Sequence, residues 1–125
     1  MAKYNESAEN YLETILMLSK KLPVVRSVDI ATELGFKKSS VSVAMKNLKE
    51  KEHITVTDAG FIYLTDSGRR IAEMIYERHE ILTSCLKPLG VDAAVAEEDA
   101  CKIEHVISEE SFQAIKDHIS KMKDR

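Results

Sequence analysis

The sequence SVDIATELGFKKSSVSVAMKNLKEK, residues 27–51, determines how the N-terminal half of the chain is organised. Its first part predicts a short helix over residues 28–34, with Ser27 as the N-cap. Gly35 follows as a residue that can end a helix in the left-handed region. Apolar residues at helical spacing then predict a second helix over residues 39–51. Two helices joined by a tight glycine turn are typical of a helix-turn-helix motif.

The outer face of the second predicted helix is polar and basic. Five lysines stand against one acid between Lys37 and Lys51. Such a face is suited to DNA phosphates, but many helical hairpins bind nothing, so this motif alone leaves both interpretations open. The residues that we expect to face DNA are Lys37, Lys38, Ser39, Ser40, Ser42 and Lys46.

Residues 54–64 predict a β-hairpin directly after the motif. Two β-rich runs, residues 54–57 and 61–64, flank a turn in which Gly60 supplies the positive φ. A hairpin that follows a recognition helix is the wing of a winged helix, which favours DNA binding over a purely structural hairpin. The sequence therefore predicts an N-terminal winged helix-turn-helix DNA-binding domain over residues 1–65.

The C-terminal half is predicted to be helical throughout. A long helix over residues 66–86, capped by Thr65, carries two apolar stripes, more than one small winged domain can cover. Residues 93–106 predict a further helix, and Ser108 caps the last one. We therefore expect residues 66–125 to be a helical dimerisation domain, and the fold class to be mostly α.

The segment Cys101-Lys-Ile-Glu104-His105 is a candidate metal site. Residues three and four apart share a helix face, so the thiol, the carboxylate and the imidazole would project together, with Glu97 one turn earlier. A soft sulfur, an imidazole and carboxylates suit a first-row transition ion better than calcium or magnesium. The alternative is a buried free cysteine beside a solvated edge, and this pentapeptide alone favours that alternative.

Two other polar features are ambiguous from the pattern alone. The first helix, predicted over residues 7–21, carries Glu9, Asn10 and Glu13 opposite its apolar face, and such a cluster is usually solvated surface. His79 lies in the long helix, where a single histidine is more often a satisfied polar residue than a ligand.

Composition and short motifs exclude several classes of protein. The net charge is −3, no uncharged apolar run approaches membrane-spanning length, and the two cysteines do not form a disulfide framework. No nucleophile–base pair, phosphate loop or His-Glu-x-x-His zinc motif indicates an enzyme. We therefore expect a cytoplasmic protein that has no membrane partner, no small organic substrate and no catalytic activity.

Along nearly its whole length, the chain resembles the DtxR/MntR family of metal-dependent transcriptional repressors. The motifs that carry the resemblance are Ser7-Ala-Glu-Asn-Tyr-Leu, Ser27-Val-Asp-Ile-Ala, Ser39-Ser-Val-Ser, Leu64-Thr-x-x-Gly-Arg, Arg78-His79-Glu-x-Leu, Leu89-Gly-Val-Asp and Ala100-Cys-x-x-Glu-His-Val-Ile-Ser.

The resemblance implies a set of metal ligands. It places ligands at His79, Cys101, Glu104 and His105, and it matches Glu13 to a ligand acid of the manganese-responsive branch. The iron branch favours a cysteine at the position of Cys101. The second metal site of the iron branch is not matched. Thr83 stands where an acid is expected, and Glu97 stands where a histidine is expected. The family places an aspartate or a methionine at position 10. The full candidate set is Glu13, His79, Cys101, Glu104, His105, Asn10 and Glu97.

The resemblance also implies the function. It predicts a homodimer that binds manganese or iron(II), with zinc or cobalt as possible ions in vitro, and that represses metal-homeostasis genes at a palindromic operator on double-stranded DNA. The alternative is a winged-helix regulator that metal does not control. A role in metal storage without DNA binding is disfavoured by the basic face between Lys37 and Lys51.

Overall fold

The computed structural model describes residues 7–123, which form two compact units. The first unit extends to Met74 and the second begins at Ile75, within one long helix. The predicted boundary between the DNA-binding domain and the dimerisation domain, between residues 65 and 66, stays a prediction. In chain order the elements are α1 (Ala8–Lys21), α2 (Ser27–Leu34), α3 (Lys38–Glu50), β1 (Ile54–Val56), β2 (Ile62–Leu64), α4 (Asp66–Leu86), a 3-10 turn (Lys87–Leu89), α5 (Ala93–Ile103) and α6 (Glu109–Lys123).

Helix α2 starts one residue earlier than the sequence predicts. Ser27 is its first residue, and Arg26 occupies the N-cap position in an extended conformation. The carboxylate of Asp29 accepts a hydrogen bond from the backbone N–H of Arg26 at 2.9 Å. The prediction that Ser27 is the N-cap is therefore wrong, because a carboxylate in the first turn satisfies this end of the helix instead.

The core of the first unit fixes which face of α3 is exposed. Val41, Met45 and Leu48 of α3 are buried, and α1 and α2 pack in the same unit. Gly35 ends α2 with a φ of 71°, so the chain turns sharply into α3 as predicted. The core side chains of α1 and α2 are Tyr11, Leu12, Ile15, Leu16, Leu18, Ile30, Ala31 and Leu34.

The predicted wing is present. Strands β1 and β2 pair antiparallel, with Ile54 opposite Leu64, and each strand is one residue shorter than predicted. Gly60 has a φ of 85°, which the turn requires. Val25 forms a single bridge to Ile62 and so anchors the wing next to the helix-turn-helix motif. The winged helix-turn-helix prediction is confirmed.

The first turn of α4 is held against the start of the wing. Thr65 Oγ1 accepts a hydrogen bond from the Gly68 N–H at 3.3 Å, as expected of a cap. A Cβ on Gly68 would overlap the backbone carbonyl of His53, and the His53 ring also contacts Ser67 Oγ at 3.0 Å. Only glycine allows this close approach of α4 to the residue that precedes β1.

The second unit contains the C-terminal part of α4 together with α5 and α6. Asp92 caps α5 and Ser108 caps α6, each accepting a backbone N–H at 3.1 Å, as predicted for both ends. Helix α5 ends at Ile103, so the predicted continuation to residue 106 is wrong. The N–H groups of residues 106 and 107 both bond to the Ile103 carbonyl, so the chain closes a turn there and leads into α6. None of the described helices combines the length and apolar character needed to cross a bilayer.

Candidate metal centre and nucleic-acid interface

Three predicted ligands converge in the second unit. His79 Nδ1 lies 3.0 Å from Glu104 Oε2 and 3.8 Å from Cys101 Sγ. One ligand atom from each of the three residues can be chosen so that all lie within 4.8 Å of one another. A nitrogen, a sulfur and a carboxylate oxygen are therefore grouped as a transition-metal site requires.

Two different helices bring these groups together. His79 lies on α4, Cys101 lies in the last turn of α5, and Glu104 is the residue that follows α5. Cys101 and Glu104 are three residues apart, so they project to the same side although the helix has ended. His105 contacts the group through Glu104, with its Nε2 3.3 Å from Glu104 Oε1.

The burial of Glu104 fits a bound cation. This carboxylate is 0% exposed, and its Oε1 has no hydrogen-bond partner among the described residues, although the His105 ring stands at ion-pair distance. A buried carboxylate oxygen without a hydrogen bond is destabilising unless a charge compensates it. The Glu104 carboxylate is therefore compensated by the two histidine rings in the metal-free protein, and these rings and the Cys101 thiol are groups that a transition ion accepts as ligands.

In the metal-free site the His79 ring is protonated, whereas binding a metal requires an unprotonated ring nitrogen. Contacts with Cys101 and then Glu104 raise the pKa of His79 from 6.5 to about 10, although burial opposes the shift. Burial raises the pKa of Glu104, but contacts from His105 and His79 outweigh it and hold that pKa below its ordinary value. At neutral pH the metal-free group is thus an imidazolium beside a carboxylate, and metal binding is coupled to release of that proton.

The remaining predicted ligands are not part of this group of three. Asn10 and Glu13 lie on α1 in the first unit and are 4% and 6% exposed. The interpretation of this α1 cluster as solvated surface is therefore wrong for both residues, because the side chains are buried. Glu97 is exposed on α5.

The predicted DNA-facing residues share the exposed side of α3 and its N-cap. Lys37, Lys38, Ser39, Ser42 and Lys46 are exposed, whereas Ser40 is half-buried. Ser39 and Lys46 lie on the side of the helix opposite the buried Val41 and Met45, whereas Lys37 and Lys38 lie at its N-terminal end. This surface offers ammonium and hydroxyl groups, which are the groups that contact DNA phosphates and base edges.

Two family models match almost the whole chain. Residues 3–59 match a model described as the N-terminal DNA-binding domain of iron-dependent repressors, and residues 65–125 match the model of their metal-binding and dimerisation domain. The chain belongs to the iron-dependent repressor family. Membership confirms the predicted function class, a metal-dependent DNA-binding transcriptional repressor with DNA and a second copy of the chain as partners.

Several transcriptional regulators are similar to this chain in sequence or structure. The transcriptional regulator MntR of Escherichia coli is 32% identical over 115 residues, covering 92% of this chain and 74% of that protein. An uncharacterised HTH-type transcriptional regulator of Methanocaldococcus jannaschii is 31% identical over 97% of this chain and 98% of that protein. A solved manganese-dependent transcriptional repressor in complex with manganese is 26% identical, with a TM-score of 0.83 over 91% of this chain. This chain spans 53% of that solved chain.

Sequence reasoning missed one residue that positions this candidate metal centre. Arg78 Nη1 donates hydrogen bonds to the carbonyl oxygens of Glu104 at 3.1 Å and Ile107 at 3.2 Å. Its guanidinium carbon also lies 5.4 Å from the centre of the Phe112 ring. Arg78 therefore fixes the turn that carries Glu104. The sequence places Arg78 beside His79, but its acceptors are main-chain carbonyls, which leave no pattern in a sequence.

Proposed function

We propose that this repressor is activated by manganese or iron(II), acts in the cytoplasm without catalytic activity, and controls metal-homeostasis genes through a palindromic operator. The observation that carries the proposal is the fully buried Glu104 carboxylate, grouped with His79 and Cys101. The same chain carries a basic, exposed recognition helix. One chain thus combines a group suited to a cation with a surface suited to DNA.

The proposed site takes His79, Cys101, Glu104 and His105 from the second unit. A thiolate and two imidazoles alone would bind zinc more tightly than manganese or iron(II), by the usual affinity order. Preference for the harder ions requires more oxygen ligands and a coordination number above four. We assign that role to Glu13 and Asn10 of α1, whose polar side chains are buried, and we keep Glu97 as a further predicted ligand.

The proposed switch is electrostatic. We infer that a bound dication attracts the Glu13 carboxylate of α1 as well as Glu104, so that α1 is held in one position only when the metal is present. When bound, a dication supplies the positive charge that both carboxylates need. It can shift the equilibrium only by its differential affinity for the arrangement in which α1 is held. That arrangement would set the two α3 helices of a dimer about one DNA turn apart.

DNA affinity measured against a panel of ions tests this function. A duplex chosen by in vitro selection from a random pool would be titrated with protein loaded with manganese, iron(II), zinc or cobalt, and with metal-free protein in chelator. We expect at least one ion to tighten binding by tenfold or more, within the usual range of allosteric coupling. Glu104→Gln keeps the shape and removes the charge, and it should abolish the difference, whereas the surface variant Glu33→Gln should keep it. Equal affinity with and without every ion would establish the alternative, a winged-helix regulator that metal does not control.

A further inference from the structure

The outer face of α3 contains an apolar residue among its polar ones. Val43 is 61% exposed, whereas Val41 and Met45, two residues before and after it, are 0% and 4% exposed. Two residues turn a helix by about 200°, so Val43 projects away from the core. It lies four residues after Ser39 and three before Lys46, in line with two of the proposed DNA contacts.

Folding does not explain a valine at this position. Exposure leaves its methyl groups in water, and a β-branched residue has a lower helix propensity than alanine, lysine or glutamine. Its exposed neighbours on α3 are Ser39, Ser42, Lys46 and Asn47. This surface therefore contains one small apolar side chain surrounded by basic and polar side chains. A protein partner would usually require a larger contiguous apolar patch.

We propose that Val43 contacts the C5-methyl group of a thymine in the major groove, and that it thereby selects thymine at one position of each half-site. The thymine methyl is the apolar group that unmodified base pairs display in that groove. Valine has no donor or acceptor for the polar edges of guanine, adenine or cytosine. This inference rests on the proposed contact between α3 and DNA.

The residues around Val43 are suited to different parts of the DNA. The lysines Lys38 and Lys46 are suited to phosphates, which position the helix without reading sequence. The hydroxyls of Ser39 and Ser42 can donate to or accept from several bases and so discriminate weakly. Val43 lies at the centre of this face and offers only methyl groups. Its contact would favour thymine over the other bases, because valine cannot hydrogen-bond their polar edges.

The test uses deoxyuridine, which differs from thymidine only by the missing methyl group. Metal-loaded protein selects its duplex from a random pool, and each thymine of that duplex is then replaced in turn by deoxyuridine. We expect one replacement per half-site to weaken wild-type binding by about fourfold, the effect of burying one methyl group. Val43→Ala should bind the unmodified duplex more weakly and show a smaller loss on that replacement, because alanine offers a single, less extended methyl group. Alanine favours a helix, so this variant should fold.

A matched variant and a change of specificity sharpen the test. Val28→Ala removes the same atoms from another exposed valine, on α2, and should keep the full dependence on the thymine methyl. Selection repeated with Val43→Gln should replace the thymine with adenine, whose N6 and N7 a glutamine side chain contacts.

Two kinds of failure are distinguishable. If wild-type protein selects no DNA with or without metal, the proposed function and this inference are both overturned; if it binds DNA equally with and without metal, only the metal control is overturned and Val43 is tested on the selected duplex. If it binds, but Val43→Ala retains the same deoxyuridine loss as wild type, or Val43→Gln selects the unchanged sequence, only the role of Val43 is overturned.

Discussion

The guanidinium of Arg78 donates a hydrogen bond to the main-chain carbonyl of Glu104, with 3.1 Å between the two atoms. The same nitrogen bonds to the Ile107 carbonyl, so one side chain of α4 spans the turn between α5 and α6. Glu104 is a carboxylate of the candidate site, and His79 is the next residue after Arg78. Arg78 is thus a positioning residue that links two candidate ligands through the backbone.

Replacing Arg78 tests this positioning role. Arg78→Lys keeps the charge but loses the planar guanidinium that reaches two carbonyls and stacks on Phe112. We expect metal affinity to fall by about 10- to 100-fold, as for other residues that orient metal ligands. Calorimetric titration with manganese measures it, and Arg69→Lys, an exposed position on the same helix, is the control. Unchanged affinity in a folded Arg78→Lys variant would contradict the role.

Glu13 tests the proposed coupling between α1 and the site. Glu13→Gln keeps the shape of the side chain and removes the charge that the cation would neutralise. We expect metal-dependent DNA affinity to fall more than metal affinity, whereas His105→Ala should lose both. Metal titration and DNA anisotropy on the same samples separate the two effects, with Glu33→Gln as the control. If Glu13→Gln responds to metal as wild type does, then α1 is not the element that metal controls.

Lys46 tests the DNA face of α3. It is exposed on the proposed contact surface, so Lys46→Ala should weaken binding to all DNA sequences and reduce the slope of log affinity against log salt by about one unit. Lys121→Ala, an exposed lysine of α6, should leave the slope unchanged. A Lys46→Ala slope equal to that of wild type would show that this ammonium remains in solvent.

The proton on His79 should make the metal-free protein sensitive to alkaline pH. Its pKa is 6.5 in the unfolded chain and about 10 in the folded one, chiefly because of Cys101 and Glu104. The charged ring therefore stabilises the fold fully below the lower value, and this contribution is lost as the pH rises through the higher one. Urea denaturation in chelator should show a larger loss of stability for wild type than for His79→Gln between about pH 7 and pH 10. The control is His118→Gln, which changes an exposed histidine of α6 and should behave as wild type. Parallel curves of stability against pH for wild type and His79→Gln would refute the prediction.

Gly68 provides a test of the junction between the wing and α4. Glycine to alanine in a helix ordinarily stabilises it, by about 1 kcal/mol. Here a Cβ would overlap the His53 carbonyl, so Gly68→Ala should instead destabilise the protein by about 1–3 kcal/mol. Chemical denaturation measures the sign directly, and Arg70→Ala in the same turn is the control. A stabilised Gly68→Ala variant would show that the two segments can separate without cost.

The sequence by itself determined the elements and their types. The spacing of Val41, Met45 and Leu48 predicts the buried face of α3, Gly35 predicts the turn before it, and the bounds of α4 are as expected. These features follow from interactions within a few residues of the chain, namely helical periodicity, capping and the freedom of glycine. Helical spacing grouped Cys101 and Glu104 as candidate ligands, and the family resemblance added His79 to them.

Only the tertiary structure decided how these groups meet. His79 and Cys101 are 22 residues apart, and no local rule sets the packing that places Nδ1 3.8 Å from Sγ. The burial of Glu13 and the early end of α5 also differ from the local pattern. Arg78 shows the reason most clearly: its partners are carbonyl oxygens, and because every residue carries one, only the packing of the helices determines which of them it contacts.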